Sequence, residues 1–274
     1  MNPDLDHDET PIRLVTFDLY DTLLALHPPR WERLAAACTA VGVTPDLEAL
    51  KAADLIAEDY YTAENGGVPI RDRTPEEREA FRLRYTALWL AAAGMPHDEA
   101  TVRAIRPAHN AEMEAAATRA NYHVYDDVIP ALRRLRDAGV KRALISNADA
   151  DVTDLCTKLE FAHELNLIVT SAVVGWEKPD VRTFRAALDP LDVEPHEALH
   201  IGDQPKSDVV GALAVGMRAV LIDRYARHDP SAHDVPVVHG LMELVDLVLA
   251  HNEAAMQAGG GRSSRLSPPM PAAR

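Results

Sequence analysis

The sequence predicts an α/β fold built on a doubly wound parallel sheet, with an all-helical segment inserted after the first strand. Three observations predict it. Short, nearly continuous apolar runs recur along the chain, as expected of strands covered on both faces. Helix-period patterns alternate with the later runs, which marks strand–helix–strand units. From about residue 27 to residue 121 no convincing strand signal occurs and the periodicity is helical.

The strand runs, in order, are "RLVTFD" (13–18), "KRALIS" (141–146), "LNLIVTS" (165–171), "ALHIGD" (198–203) and "RAVLID" (218–223), with a weaker sixth, "PVVHG" (236–240). Helices are expected over "DDVIPALRRLRDAG" (126–139), "PDVRTFRAAL" (179–188) and "SDVVGALAVG" (207–216). Proline at a start and glycine past an end punctuate them. In the insertion, "RWERLAAACTAVG" sets Trp31, Leu34, Cys38 and Val41 on one face, and "EREAFRLRYTALWLAAAG" does the same for Phe81, Tyr85, Leu88 and Trp89. These stripes are expected to form core. Prolines at 45, 75 and 96 separate about four helices. The chain thus divides into an acidic unstructured start (1–11), an α/β core (12–26 and 122–252), the helical insertion (27–121) and an unstructured tail (253–274) rich in Gly, Ser and Pro.

With 274 residues, 47 % of them apolar, the chain can bury a sizeable core. A net charge of −15 argues against nucleic acid as a partner, because a phosphate backbone demands a basic face. A small anionic substrate stays compatible, since one metal ion reverses a local field. The acidic start lacks an apolar signal core, and no apolar run reaches the roughly 18 residues of a membrane span. Two cysteines, Cys38 and Cys156, make no disulfide framework, so a reducing cytoplasm is expected. The assembly is left open between monomer and homodimer.

In open α/β sheets, ligands bind beyond the carboxyl ends of the strands. Asp18, Tyr20, Asp21 and Thr22 follow the first run, and Ser146 and Asn147 end the second. Gly202 and Asp203 end the fourth, Asp208 lies five residues further on, and Lys178 precedes Pro179 at a helix start. A carboxylate at a buried strand end is costly unless it has partners. Three acids, a hydroxyl, an amide and a lysine are expected to meet in one crevice. The twelve histidines form no ligand pattern: His196 and His200 are four apart, but on a strand rather than one helical face.

Taken in order, "DLYDT" (18–22), "ISNAD" (145–149), "EKPD" (177–180) and "HIGDQPKSD" (200–208) resemble the four motifs of the haloacid dehalogenase superfamily, over about residues 12–250. The resemblance implies a Rossmann-like core and makes the insertion a helical cap domain. It implies Mg²⁺ held by Asp18, Asp203 and the Tyr20 backbone carbonyl, with Asp208 binding directly or through a water. Asp18 becomes the nucleophile, Lys178 offsets its repulsion from an anionic substrate, and Ser146 and Asn147 donate to the transferred group. Thr22 completes the first motif. The implied substrate is a small phosphomonoester.

Tyr20 departs from that pattern. The family's phosphatases carry a second Asp here, which protonates the leaving alcohol. A phenol of ordinary pKa about 10 does not copy a carboxylate. General acid–base help is worth about 10²–10⁴-fold, so a slow or selective phosphohydrolase is expected unless the adjacent Asp21 substitutes. Two other readings stay open. The family's 2-haloacid dehalogenases carry Tyr at this place, because halide leaves without a proton. They differ from this chain in having Gly at the position of Asp21, a Ser-Asn-x-x-Asp fourth motif with no metal, and Tyr where this chain has Phe184. The third reading is a non-catalytic binding or regulatory protein that keeps the fold.

Overall fold

The structure, a computed structural model, describes residues 5, 10–116 and 121–262. Its strands are β1 (Leu14–Phe17), β2 (Leu24–Leu26), β3 (Tyr122–Val124), β4 (Lys141–Ser146), β5 (Leu167–Thr170), β6 (Ala198–Gly202), β7 (Arg218–Ile222) and β8 (Val237–Val238). Six of them form one sheet in the order β5-β4-β1-β6-β7-β8, with every pairing parallel. Strand order reverses around β1, so the crevice at its carboxyl end is flanked by β4 and β6.

Both faces of the sheet are apolar, as the continuous runs require. Val15, Phe17, Leu144, Leu199, Ile201, Val220 and Ile222 face one layer, where α5 (Val128–Asp137) and α10 (Leu241–Arg262) supply Leu132, Leu135, Leu244 and Val248. Their neighbours Leu14, Ala143, Ile145, Ala198, Ala219 and Leu221 face the other. There, after the short α6 (Thr153–Lys158) and α7 (Ser171–Val174), α8 (Val181–Leu188) and α9 (Val210–Val215) supply Phe184, Leu188 and Ala212. This alternation is the strand period of two with both sides buried.

The insertion contains α1 (Arg30–Ala40), α2 (Leu47–Gly67), α3 (Pro75–Ala92) and α4 (Glu99–Ala116). Asp46 caps α2 by accepting from the Ala49 N–H at 3.0 Å. Thr74 and Glu77 close a reciprocal capping box on α3, with Pro75 in its first turn. Trp31, Leu34, Cys38, Leu50, Trp89, Leu90 and Ile105 make a separate apolar core. Inside it the Trp89 indole N–H donates to the Leu50 carbonyl at 2.8 Å. Val41 departs from the expected stripe: it follows the last turn of α1 and is exposed. The chain leaves and re-enters the core through β2 and β3, which pair antiparallel with Leu24 opposite Val124. At three residues each, these strands are too short to show a period.

Both ends carry more structure than composition suggests. α10 continues to Arg262, so residues 253–262 are helical rather than unstructured. The good helix formers in "EAAMQA" (253–258) carry it past the point where the Gly/Ser/Pro-rich average begins. At the start, Leu5 is buried in the core and the Thr10 carbonyl lies 2.9 Å from His251 Nε2. An apolar side chain and a helix to dock on outweigh the acidic surroundings there. The rest of the expectation for 1–9 and that for 263–274 lie outside the described residues.

Close approach of α8 and α9 depends on Gly211. A β-carbon there would stand 2.5 Å from the Phe184 ring and 2.9 Å from the Pro179 α-carbon. Gly211→Ala is expected to destabilise the fold by about 1–3 kcal/mol through overpacking, read as a lower midpoint in urea unfolding.

Candidate active site

Because β1, β4 and β6 are neighbours, their carboxyl ends bring Asp18, Ser146 and Asp203 to one edge of the sheet. Asp208 joins them through a π-helical turn over Pro205–Val209 that precedes α9. Its carboxylate lies against Gly202, where a β-carbon would come within 2.2 Å of the Asp208 Cγ. Only glycine leaves room at that strand end. Asp18, Asp203 and Asp208 are all buried and each offers an oxygen within 4.8 Å of the others. Three hard oxygen donors at that spacing suit Mg²⁺.

Lys178 holds the acids together. Its Nζ lies 2.6 Å from Asp18 Oδ1 and 2.6 Å from Asp208 Oδ1. Burial alone would lower the lysine pKa, but the two carboxylates outweigh it and raise it. Burial pushes the Asp18 carboxyl up to about 6 against the pull of Lys178. Burial acts the same way on Asp208, but Lys178 and His200 outweigh it and hold that carboxyl well below the usual range. Asp203 is driven up by burial and by Asp21, against Arg227 and Arg30.

Asn147 was expected to donate to the transferred group. Its side chain instead clamps the lysine backbone: Nδ2 donates to the Lys178 carbonyl at 2.9 Å and Oδ1 accepts the Lys178 N–H at 2.8 Å. The strand end and the lysine loop approach so closely that the amide spans both backbone groups. Ser146 and Thr22 are fully buried, with hydroxyl oxygens that have no hydrogen-bond partner among the described residues. The Tyr20 ring packs against Tyr122, with centroids 6.1 Å apart, and burial raises its phenol pKa. Asp21 adopts a left-handed backbone with φ 55° in the turn after β1. Its carboxylate accepts from Arg30 at 3.1 Å and from the Tyr225 hydroxyl at 3.2 Å. Both of its oxygens are thus occupied, so it holds the turn.

His200 and Thr16 carry a role that the sequence did not reveal. His200 Nε2 lies 3.2 Å from Asp208 Oδ1 and its Nδ1 lies 2.8 Å from the Thr16 hydroxyl. Burial lowers its pKa and keeps the ring neutral. A neutral ring then donates to the carboxylate through Nε2–H and accepts from Thr16. A polar residue inside an otherwise apolar strand was the available signal.

The insertion is tied to this edge by buried charges. Arg30 of α1 meets Asp54 at 2.9 Å and Glu58 at 2.9 Å on α2, and lies 3.8 Å from Asp203. Arg227, in the loop after β7, pairs with Asp54 and lies 3.3 Å from Asp203. On the other side Glu177 accepts from Asn65 and Arg71, each at 2.7 Å. A cavity of about 580 Å³ lies between the sheet edge and the helices. Asp18, Asp203, Asp208, Lys178 and Asn147 line it at the sheet, and Arg33, Tyr85, Trp89, Arg106 and His109 line it within the insertion. The aromatic stripe of α3 is therefore cavity wall as well as core.

This arrangement defines a hydrolase of the aspartate-centred α/β kind. A family model of haloacid dehalogenase-like hydrolases matches residues 12–216, and the chain belongs to that family. A Bos taurus protein, haloacid dehalogenase-like hydrolase domain-containing protein 3, is 30% identical over 93% of this chain and 98% of its own length. A glyceraldehyde 3-phosphate phosphatase of Methanopyrus kandleri is 30% identical over 86% of this chain and 97% of its own. Among solved structures, a 2-haloacid dehalogenase from Pseudomonas syringae aligns with 87% of this chain and 99% of its own, at TM-score 0.51 and 25% identity. Among the described residues no helix is long and apolar enough to cross a membrane.

Two outcomes are expected from the buried charges. Asp54→Asn leaves Arg30 and Arg227 short of a buried partner, and a loss of about 3–5 kcal/mol is expected in urea unfolding. His109 is pushed down to about 3 by burial and by Arg106 and Arg33. The unfolded chain takes up that proton near the ordinary value of 6.5, so stability falls as pH drops through 6.5 toward 3. Between pH 7 and 5 the contribution is about 2 kcal/mol. A His109→Gln variant should lose that share of the pH dependence.

Proposed function

We propose that the chain is a Mg²⁺-dependent phosphohydrolase acting on a small phosphomonoester. The observation that carries this reading is the convergence of Asp18, Asp203 and Asp208 within 4.8 Å, with Lys178 bonded to the first and third. The name of the Methanopyrus relative supports a phosphatase.

In this reading an Asp18 oxygen attacks phosphorus, the P–O ester bond breaks, the departing alkoxide takes its proton from water, and a second water then opens the aspartyl-phosphate to inorganic phosphate and free Asp18. Splitting one displacement into two is the use of a carboxylate nucleophile. Asp18, Asp203 and the Tyr20 carbonyl, with Asp208 alongside, would hold Mg²⁺, which would supply charge neutralisation at the transferring group. Lys178 keeps Asp18 oriented and lowers its repulsion from the dianion. The Ser146 hydroxyl, buried without a partner, donates to a phosphoryl oxygen. Asn147 acts through the lysine loop. The insertion acts as the cap and excludes bulk water. A reducing cytoplasm, where both buried cysteines stay free thiols, belongs to the same proposal.

Tyr20 sets the rate. Its phenol stays protonated and packed on Tyr122, and Asp21 is tied to Arg30 and Tyr225. Neither side chain serves as the base for the second step. Tyr20 also favours one other reading, hydrolytic release of halide from a small 2-haloacid, which needs no acid.

The test is phosphate release from a panel of small phosphomonoesters, with halide release from 2-chloropropionate measured in parallel. Slow release that requires Mg²⁺ and falls to background in Asp18→Asn is expected. Tyr20→Asp is expected to raise turnover by about 10²-fold. Metal-independent halide release with no phosphate release would sink the phosphohydrolase reading.

A further inference from the structure

The reaction occupies one end of the cavity. At the other, inside the helical insertion, lie Arg33 of α1 and Arg106 of α4, both buried to about 5 % exposure. Arg30, half-buried, and Arg227, with its side chain buried, each take carboxylates. Arg33 and Arg106 take none among the described residues. The Arg33 Nη1 donates to the Pro28 carbonyl at 2.6 Å. The Arg106 Nη1 lies 3.2 Å from His109 Nδ1, and its Nη2 donates to the Asn110 side-chain oxygen.

A guanidinium only donates, so His109 Nδ1 accepts and the ring proton sits on Nε2. Among the described residues, three buried side-chain nitrogens are then left without partners: Arg33 Nε, Arg106 Nε and His109 Nε2. All three carry N–H groups. Two full positive charges and three orphaned donors gathered in one place are costly unless an acceptor of negative charge completes them. Packing does not require such residues, since an apolar side chain would fill the space better. Arg33, Arg106, His109 and Asn110 line the same cavity as Asp18 and Lys178. Glu114, further along α4, also lines it but is exposed to solvent.

We infer that Arg33, Arg106 and His109 form a second anion-binding site in this cavity, and that the substrate is a phosphomonoester bearing a further anionic group, a carboxylate or a second phosphate, away from its reacting phosphorus. The inference rests on the phosphohydrolase reading of Asp18. Planar guanidinium donors match either anion, and the cavity has the size of a metabolite site. A neutral His109 adds a donor without adding charge.

The decisive measurement is equilibrium binding by calorimetry to Asp18→Asn protein with Mg²⁺, which does not depend on turnover. The probes are propyl phosphate, 2-carboxyethyl phosphate and 1,3-propanediol bisphosphate, with homologues of up to four methylene groups to vary the span. At least one doubly anionic series is expected to bind about tenfold or more tighter than its alkyl counterpart, the size of one charge-assisted hydrogen bond. Which series wins distinguishes carboxylate from phosphate. Arg106→Gln and Arg33→Gln, each added to Asp18→Asn, should reduce that ratio to near one. Should either fail to fold by circular dichroism, the other and the parent comparison still decide. Equal affinities across all probes overturn the inference, as does a preference that survives both substitutions. Phosphate release by the wild type is read separately. Release without any preference leaves the reaction standing and removes the second site. Preference without release does the reverse.

Discussion

One ammonium group bridging two buried carboxylates is the interaction on which this site depends. Parallel strand order makes Asp18 and Asp203 neighbours whether or not like charges tolerate it, and the turn after β6 adds Asp208. In a low-dielectric crevice such charges repel strongly. Lys178 offsets this with two contacts of 2.6 Å. Much of the nearby structure serves that lysine. Asn147 clamps its backbone on both sides, and His200, steadied by Thr16, bonds the same Asp208 oxygen that the lysine holds. Gly202 leaves the space in which the Asp208 carboxylate stands.

The cavity above has two unlike ends. Its sheet end is rich in acids and has one bridging lysine; its helical end has two arginines that form no ion pair among the described residues. In the proposed reading, a molecule spanning both would meet Lys178 and the acids at one end and the two guanidinium groups at the other. Its fit depends on how the insertion sits over the sheet. Two sets of buried polar contacts set that position, one through Arg30, Asp54, Arg227 and Asp203, the other through Glu177 with Asn65 and Arg71. Buried ion pairs add little net stability, but breaking one is expensive. They therefore specify an arrangement more than they strengthen it.

Much of the site was legible because its parts are short motifs at predicted strand ends. Asp18, Ser146 and Asp203 each close an apolar run, Asp208 stands one short turn beyond the last of them, and Lys178 sits at a proline-marked helix start. Asn147 stands in the crevice wall, but its amide bonds both backbone groups of Lys178, a contact that its place after a strand end does not reveal. His200 belongs to no ligand pattern along the chain, because its partners are a threonine on β1 and the carboxylate of Asp208. The helical end of the cavity was not legible at all. Its aromatic stripe has the same period whether it packs into core or walls a cavity.

By itself the sequence determined the alternation of elements, the place of the insertion and the chemistry at the strand ends. Those arise from periods of two and 3.6 residues and from side chains close along the chain, so they are local. Only the tertiary structure decided which charges meet. Lys178 and Asp18 stand 160 residues apart, and Asn65 reaches Glu177 across 112. Pairing energy depends on distance and burial, neither of which a linear pattern carries. For the same reason the sequence could not separate Arg30 and Arg227, which have carboxylate partners, from Arg33 and Arg106, which have none among the described residues.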